Sequence, residues 1–148
     1  MLVSEILRIK GNTLYTTALE GSVLDAVKAM ADNDIGSLVV MDHGRLVGML
    51  TFREVIAALA KGGGALGALR VSEICERDPL TAAPGIDVME LRGRMLERHA
   101  RYVPVMDGAT LHGVVSFHDV AKAVYAEQSF ENRMLKNYIG DSPDVVVR

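Results

Sequence analysis

One stretch of sequence is laid down twice in this chain, and that duplication limits its possible folds more than any other feature. Sliding the chain by 65 positions, which sets Val40 on Val105, aligns residues 13–57 with 78–122 without a gap. The densest match sets SLVVMDHGRLVGMLTFREV (37–55) over YVPVMDGATLHGVVSFHDV (102–120), with Met41/Met106, Asp42/Asp107, Leu46/Leu111, Gly48/Gly113, Phe52/Phe117 and Val55/Val120 identical. A second echo, VSEI at Val3–Ile6 and again at Val71–Ile74, has an offset of 68, so the first copy carries three extra residues after its leader. Self-similarity at a fixed period marks repeated supersecondary units that bury their apolar faces against one another.

Each copy reads as the same string of elements. Leu14–Thr17 and Pro79–Ala82 are short extended pieces. Helices follow with capping-box starts, Ser22 with Asp25 and Asp87 with Glu90, and with apolar residues at helical spacing (Val23, Ala26, Val27, Met30; Val88, Leu91, Met95). Two β-branched runs, 37–42 and 45–50, flank the turn His43-Gly44, and their counterparts 102–107 and 110–115 flank Gly108-Ala109. These read as hairpins. A second helix starts at Thr51 or Ser116, so the order is β-α-β-β-α twice, an α/β (α+β) fold class. Too few strands lie in one copy to close a core, so the copies are expected to pack together.

The organisation expected is a first copy over 1–61, a Gly-rich linker over 62–70 serving as a flexible connector, and a second copy over 71–125. A helical extension runs over 126–140, carried by Phe130, Met134, Leu135, Tyr138 and Ile139, and a loose tail over 141–148 follows. Composition excludes several roles. The net charge of −3 gives no footprint for wrapping nucleic acid. No apolar run approaches the ~20 residues of a membrane span. The single cysteine, Cys75, rules out an internal disulfide and a multi-cysteine zinc site. With no secretory layout at residues 1–13, a cytoplasmic location is the expectation.

The repeated unit ends in GMLTFRE (Gly48–Glu54) and GVVSFHD (Gly113–Asp119): strand, glycine, hydroxyl residue, then an acid three positions on. This pattern has two readings. As capping boxes, the hydroxyl and the acid satisfy orphan amides at a helix start. As a ligand site, the hydroxyl and the helix N-terminus meet a phosphate, while the carboxylate one turn on accepts from a ribose diol. The two are compatible, because a capping hydroxyl can turn to a ligand.

With these residues in hand, the chain resembles a tandem pair of CBS (cystathionine-β-synthase) domains, a Bateman module of the small stand-alone bacterial type. The likeness spans about residues 1–125 and rests on the duplication, the VSEI leaders, the two hairpins ending in the hydroxyl–acid motif, and the Arg101–Val105 strand. The resemblance implies two CBS domains packed as an intramolecular pseudo-two-fold pair, with adenine nucleotides held in clefts between them. It implies AMP first among ligands, with ADP, ATP, NAD(H) or S-adenosylmethionine as others. In the second copy it implies that Ser116 contacts phosphate, Asp119 the ribose, and Thr81, Ala82 and Ala83 the base. Arg101, Tyr102 and Pro104 would wall that pocket, with His118 beside the motif. The matching positions in the first copy are Thr16, Thr17, Ala18, Gly36, Ser37, Val39, Thr51, Arg53 and Glu54.

Two departures from the family pattern, Glu54 for the commoner Asp and His118 where the first copy keeps Arg53, favour the Asp119 site. So does the run of Arg92, Arg94, Arg98, His99 and Arg101, opposed only by Glu97. The function expected is a non-catalytic nucleotide sensor that forms a homodimer and signals to an unidentified protein partner, with no nucleic acid or membrane involved. A ligand-independent scaffold dimer and a small nucleotide-processing enzyme are the rivals. Against the enzyme, Ser116, His118 and Asp119 lie too close on one helical turn to act as nucleophile, base and orienter. The four histidines also lack metal-binding spacing.

Overall fold

The structure is a computed structural model and describes residues 1–11 and 13–140; the tail expected over 141–148 lies outside the described residues. In chain order the elements are α1 (Val3–Lys10), β1 (Thr16–Ala18), α2 (Val23–Asn33), β2 (Ser37–Asp42), β3 (Arg45–Thr51), α3 (Phe52–Lys61), α4 (Val71–Ile74), α5 (Val88–Arg98), β4 (Tyr102–Asp107), β5 (Thr110–Ser116) and α6 (Phe117–Gly140). The duplication is visible in the sheet registers. In the first copy β1 runs parallel to β2, and β2 is antiparallel to β3 with Ser37 opposite Thr51. In the second, Tyr102 stands opposite Ser116 in the β4–β5 pair, and Ala82 forms a single parallel bridge to Val105 where β1 would lie. Both hairpins slip register at matching points, Val40/Met41 and Val105/Met106.

Local chemistry sets the turns and helix starts. His43 and Gly44 both have positive φ (51° and 76°), as a two-residue type I′ hairpin turn requires. Ser22 Oγ accepts from the Asp25 amide (3.2 Å) and Asp87 from the Met89 amide (2.9 Å), so both first helices are capped by the residues expected. The reciprocal half of a capping box is formed instead at α3, between Thr51 and Glu54.

The leaders cross over. Val3 and Ile6 of α1 are buried with Val88, Leu91, Met95, Val103, Val105, Val115 and Val120, the core of the second copy. Val71 of α4 is buried with Val23, Ala26, Met30, Leu38, Val40, Leu50 and Val55, the core of the first. Matching backbone bonds fix both crossings. The Val3 amide donates to Ile86 (3.0 Å), Ser4 to Pro84 (2.9 Å) and Val88 to Met1 (2.9 Å). At the other leader Val71 donates to Gly21 (2.8 Å), Ser72 to Leu19 (2.8 Å) and Val23 to Leu69 (3.0 Å). The two sets superpose under the two sequence offsets.

The segment 62–70, expected as a Gly-rich connector, makes defined backbone turns. Gly64 donates to Leu59 (2.8 Å) and Leu69 to Leu66 (3.1 Å), and Leu66 and Leu69 pack against the first core. Positive φ at Gly63, Gly64 and Gly67 lets the backbone double back there, which is what those glycines supply. Helix α6 is 24 residues long, about 36 Å at 1.5 Å per residue. Its first turns bury Val120 and pack Ala123 and Val124, after which Tyr125, Phe130, Met134, Leu135 and Tyr138 are exposed. No helix among the described residues is long and apolar enough to cross a membrane.

Ile6→Ala should destabilise the protein by about 2–5 kcal/mol, the usual cost of emptying a buried aliphatic site. Hydrogen exchange should show the lost protection in β4, β5 and the start of α6 rather than in β1–β3, although Ile6 belongs to the leader of the first copy in sequence.

Candidate functional site

Both hydroxyl–acid motifs begin where a hairpin strand runs into a helix, and a leader segment crosses close over the glycine of each. Met49 exchanges two backbone bonds with Glu76 (2.9 Å each), and a Cβ at Gly48 would collide with the Glu76 carbonyl oxygen. At Gly113 the neighbour is instead the Leu7 side chain, 3.0 Å from where a Cβ would stand.

The first motif closes on itself. The Thr51 amide and Oγ1 both donate to Glu54 Oε1 (2.8 and 2.9 Å), and Thr51 Oγ1 accepts from the Arg53 amide (3.2 Å). Arg53 Nη2 donates to the His99 carbonyl (3.0 Å), placing a cation from the first copy at the C-terminus of α5 in the second, where the helix dipole favours it. Thr51, Arg53 and Glu54 open onto a cleft of about 380 Å³ whose far wall is Leu80, His99, Arg101 and Tyr102 of the second copy.

The second motif makes the same reciprocal bonds, Ser116 amide to Asp119 Oδ2 (2.9 Å) and Asp119 amide to Ser116 Oγ (3.0 Å). It also has a partner that the first lacks among the described residues. Lys10, at the end of α1, places Nζ 2.7 Å from Asp119 Oδ2 and 3.0 Å from the Val114 carbonyl. Burial pushes the Asp119 carboxyl up, but donation by Lys10 and by the Ser116 amide outweighs it and leaves the group below the ordinary carboxylate range. Ser116 and Lys10 line a cleft of about 330 Å³ with Tyr15, Gly36 and Ser37 of the first copy and Tyr102. Asp119 faces a separate apolar cavity of about 300 Å³ between α1 and α6, also lined by Lys10.

The clefts therefore mix the copies. Thr51, Arg53 and Glu54 meet Arg101 and Tyr102, and Ser116 meets Gly36 and Ser37, each across the boundary from the residues with which the sequence groups them. The basic residue Arg101 stands beside Glu54, not Asp119. Tyr102 lines both clefts, and Gly36 is required by it, since a Cβ there would strike the Tyr102 hydroxyl. Other expected residues lie elsewhere. Val39, Ala82 and Pro104 are buried in strand or bridge positions, where both faces of the short sheets are covered. Thr16, Thr17 and Ala18 form β1 and line neither cleft, and the same holds for Thr81 and Ala83. His118 is exposed on α6 away from both. A wider trough of about 1010 Å³ runs between α3 and the connector; it shares Arg53 and Glu54 but is otherwise lined largely by Ala, Gly and Leu, and it presents no hydroxyl. Sequence reasoning missed Lys10, Tyr15 and Leu80, of which only Lys10 had a signal, its place one helical turn beyond the VSEI leader.

The CBS domain pattern matches residues 12–61 and 71–126, so this chain belongs to the CBS domain family. It is similar to the mitochondrial CBS domain-containing protein CBSX3 of Arabidopsis thaliana, at 29% identity over 93% of this chain and 71% of that protein. Among solved structures it resembles a protein with CBS domains from Burkholderia ambifaria MC40-6, provisionally named for signal transduction, with a TM-score of 0.80 at 33% identity, covering 86% of this chain and 96% of that one. It also resembles the CBS domain pair of protein MJ0100, solved in complex with 5′-methylthioadenosine and S-adenosyl-L-methionine. That likeness has a TM-score of 0.74 at 27% identity and covers 84% of this chain and 99% of that one.

Asp119 binds its proton more weakly in the folded chain than in the unfolded one. Its contribution to stability is therefore full above the ordinary carboxylate range and is lost as pH falls through the lowered folded value. Asp119→Asn should lower the neutral-pH melting temperature by about 1–4 °C, as expected for a half-exposed ion pair of about 0.2–1 kcal/mol. Across a melting series from neutral to acid pH, the gap between variant and wild type should close at the acid end.

Proposed function

We propose that the protein is a non-catalytic, cytoplasmic sensor of adenine nucleotides, with one site in each cleft between the CBS copies. The observation that carries this reading is the convergence, in a cleft of about 380 Å³, of Thr51 and Glu54 at a helix start with Arg101 and Tyr102 from the other copy. A hydroxyl and backbone amides for phosphate, a carboxylate for the ribose diol, a guanidinium for added charge and an aromatic wall suit a nucleoside phosphate. The volume suits a small-molecule site. The adenosyl ligands of the MJ0100 pair support the same chemical class. AMP is the first candidate, with ADP, ATP and NAD(H) next. A ligand that bridges the copies and favours one of their arrangements over another shifts that equilibrium by its differential affinity, which is the signal passed to a partner protein.

One observation favours a ligand-independent scaffold instead: both hydroxyl–acid pairs already close capping boxes in the structure. A thermal-shift screen with AMP, ADP, ATP, NAD and S-adenosylmethionine separates the two readings. A true ligand at about a hundred times its Kd should raise the melting temperature by about 5–10 °C. Stabilisation by none of them would favour the scaffold. For the ligand that scores, Glu54→Ala should weaken binding at its cleft about tenfold or more while lowering the unliganded melting temperature only by the few degrees that a lost capping contact costs.

The exposed apolar residues of α6 (Tyr125, Phe130, Met134, Leu135 and Tyr138) support a homodimer built on that helix. Ending the chain at Tyr125 should shift the sedimentation profile from dimer towards monomer. An unchanged profile would place the dimer contact elsewhere.

A further inference from the structure

The two clefts differ in one respect that their duplicated origin does not account for. In the first copy the Met49 carbonyl accepts from the Glu76 backbone amide (2.9 Å). The equivalent carbonyl in the second copy, Val114, accepts from the Lys10 ammonium (3.0 Å), which also holds Asp119 Oδ2 at 2.7 Å. Lys10 thus takes the place of a backbone strand pairing and brings a full charge to it. It lines both the cleft that contains Ser116 and the neighbouring cavity that contains Asp119, so it is the partition between them. Asp119 is only 19% exposed behind it, whereas Lys10 itself is 41% exposed. Glu54, by contrast, has no cation on its carboxylate among the described residues; it accepts from Thr51 and lines its cleft directly. At the offset of 68 that relates the leaders, the position matching Lys10 is Asp78.

We propose that Lys10 is a latch and a selector for the Ser116 cleft: it screens Asp119 from that cleft until a ribose diol displaces it, and its ammonium then turns to the phosphate of the same ligand. This rests on the nucleotide reading given above and adds which ligands this cleft admits. A nucleoside phosphate replaces the ion pair it breaks, because the released ammonium gains a phosphate oxygen. An uncharged nucleoside breaks the same ion pair and leaves the ammonium without an anionic partner, which is costly in a partly buried place. The distances suit the exchange. Lys10 Nζ and the Ser116 amide already share one carboxylate oxygen, so a phosphate bound at Ser116 lies within the sweep of a side chain with four flexible methylenes. Among the described residues the Glu54 cleft has no such latch, so the two clefts differ in ligand preference, with the Ser116 cleft the more selective for phosphate.

The test compares AMP with adenosine by calorimetry on the full chain, in a Glu54→Ala background that leaves the Ser116 cleft as the measured site. With Lys10 present, AMP should bind at least about tenfold more tightly than adenosine. Lys10→Met should cut that ratio by about tenfold, with adenosine affinity rising as Asp119 is uncovered, and Lys10→Arg should keep most of the preference. An AMP-to-adenosine ratio unchanged by Lys10→Met, with binding otherwise intact, overturns the latch alone. Failure of both compounds to bind with Lys10 present overturns the nucleotide reading of this cleft and the latch with it.

Discussion

Everything in this molecule depends on the exchange of the two leader segments. Neither β-α-β-β-α unit finishes its own core with the residues that precede it. Val3 and Ile6 fill the second copy and Val71 fills the first, each held by three backbone bonds to the segment before a helix. A fully buried Val side chain contributes on the order of 1.5–3 kcal/mol. Withdrawing a leader therefore removes a share of stability that a domain held together by about 10 kcal/mol in all cannot spare. The same exchange brings the starts of α3 and α6 to the boundary between the copies, because each motif strand is crossed by the leader that closes its core. Glu76 lies across Gly48, and Leu7 lies across Gly113. The glycine of the motif thus answers to packing, while its hydroxyl and acid stay available for binding.

Duplication produced two similar frames, and small differences in what crosses them have made the clefts unlike. In one the crossing leader contributes a main-chain pairing at Met49, and in the other a lysine ammonium at Val114. Arg101 enriches the cleft of Glu54 with positive charge, whereas the cleft of Ser116 draws its cation from α1. The offset change between leader and body, from 68 to 65, marks the region in which this asymmetry arises. A pair of sites with unequal electrostatics can hold unlike ligands, or the same ligand at unlike affinities, within a frame of near two-fold symmetry.

How much of this was legible in the sequence follows from the range of each interaction. Hairpin turns, helix caps and the hydroxyl–acid motifs are local, and their residues announced them: His43-Gly44, Ser22, Asp87, Thr51 and Ser116 all act where their chemistry suggested. The side to which a strand residue turns was less readable. Leu38, Val39 and Val40 are all buried, so no alternation of apolar and polar residues separates a core-facing valine from a cleft-facing one. The membership of each cleft was hidden for a further reason. Which copy faces Thr51 or Ser116 is set by packing between units, and Lys10 has no lysine twin in the second copy to draw attention to it. The glycines of 62–67 look like a free linker in one dimension, and three of them, Gly63, Gly64 and Gly67, take up left-handed backbone conformations in three.

The crossing of α1 also orders events in time. The first copy is closed by α4, which follows it closely along the chain, so its contacts are of short sequence range. The second copy is closed by residues 3–6, which leave the ribosome before any of its own strands exist. Non-local contacts of this kind form late, since loop-closure entropy is spent before they return anything. During synthesis α1 is thus an amphipathic segment waiting for a surface that is not yet made, and a helix made before its partners is among the last to be seated.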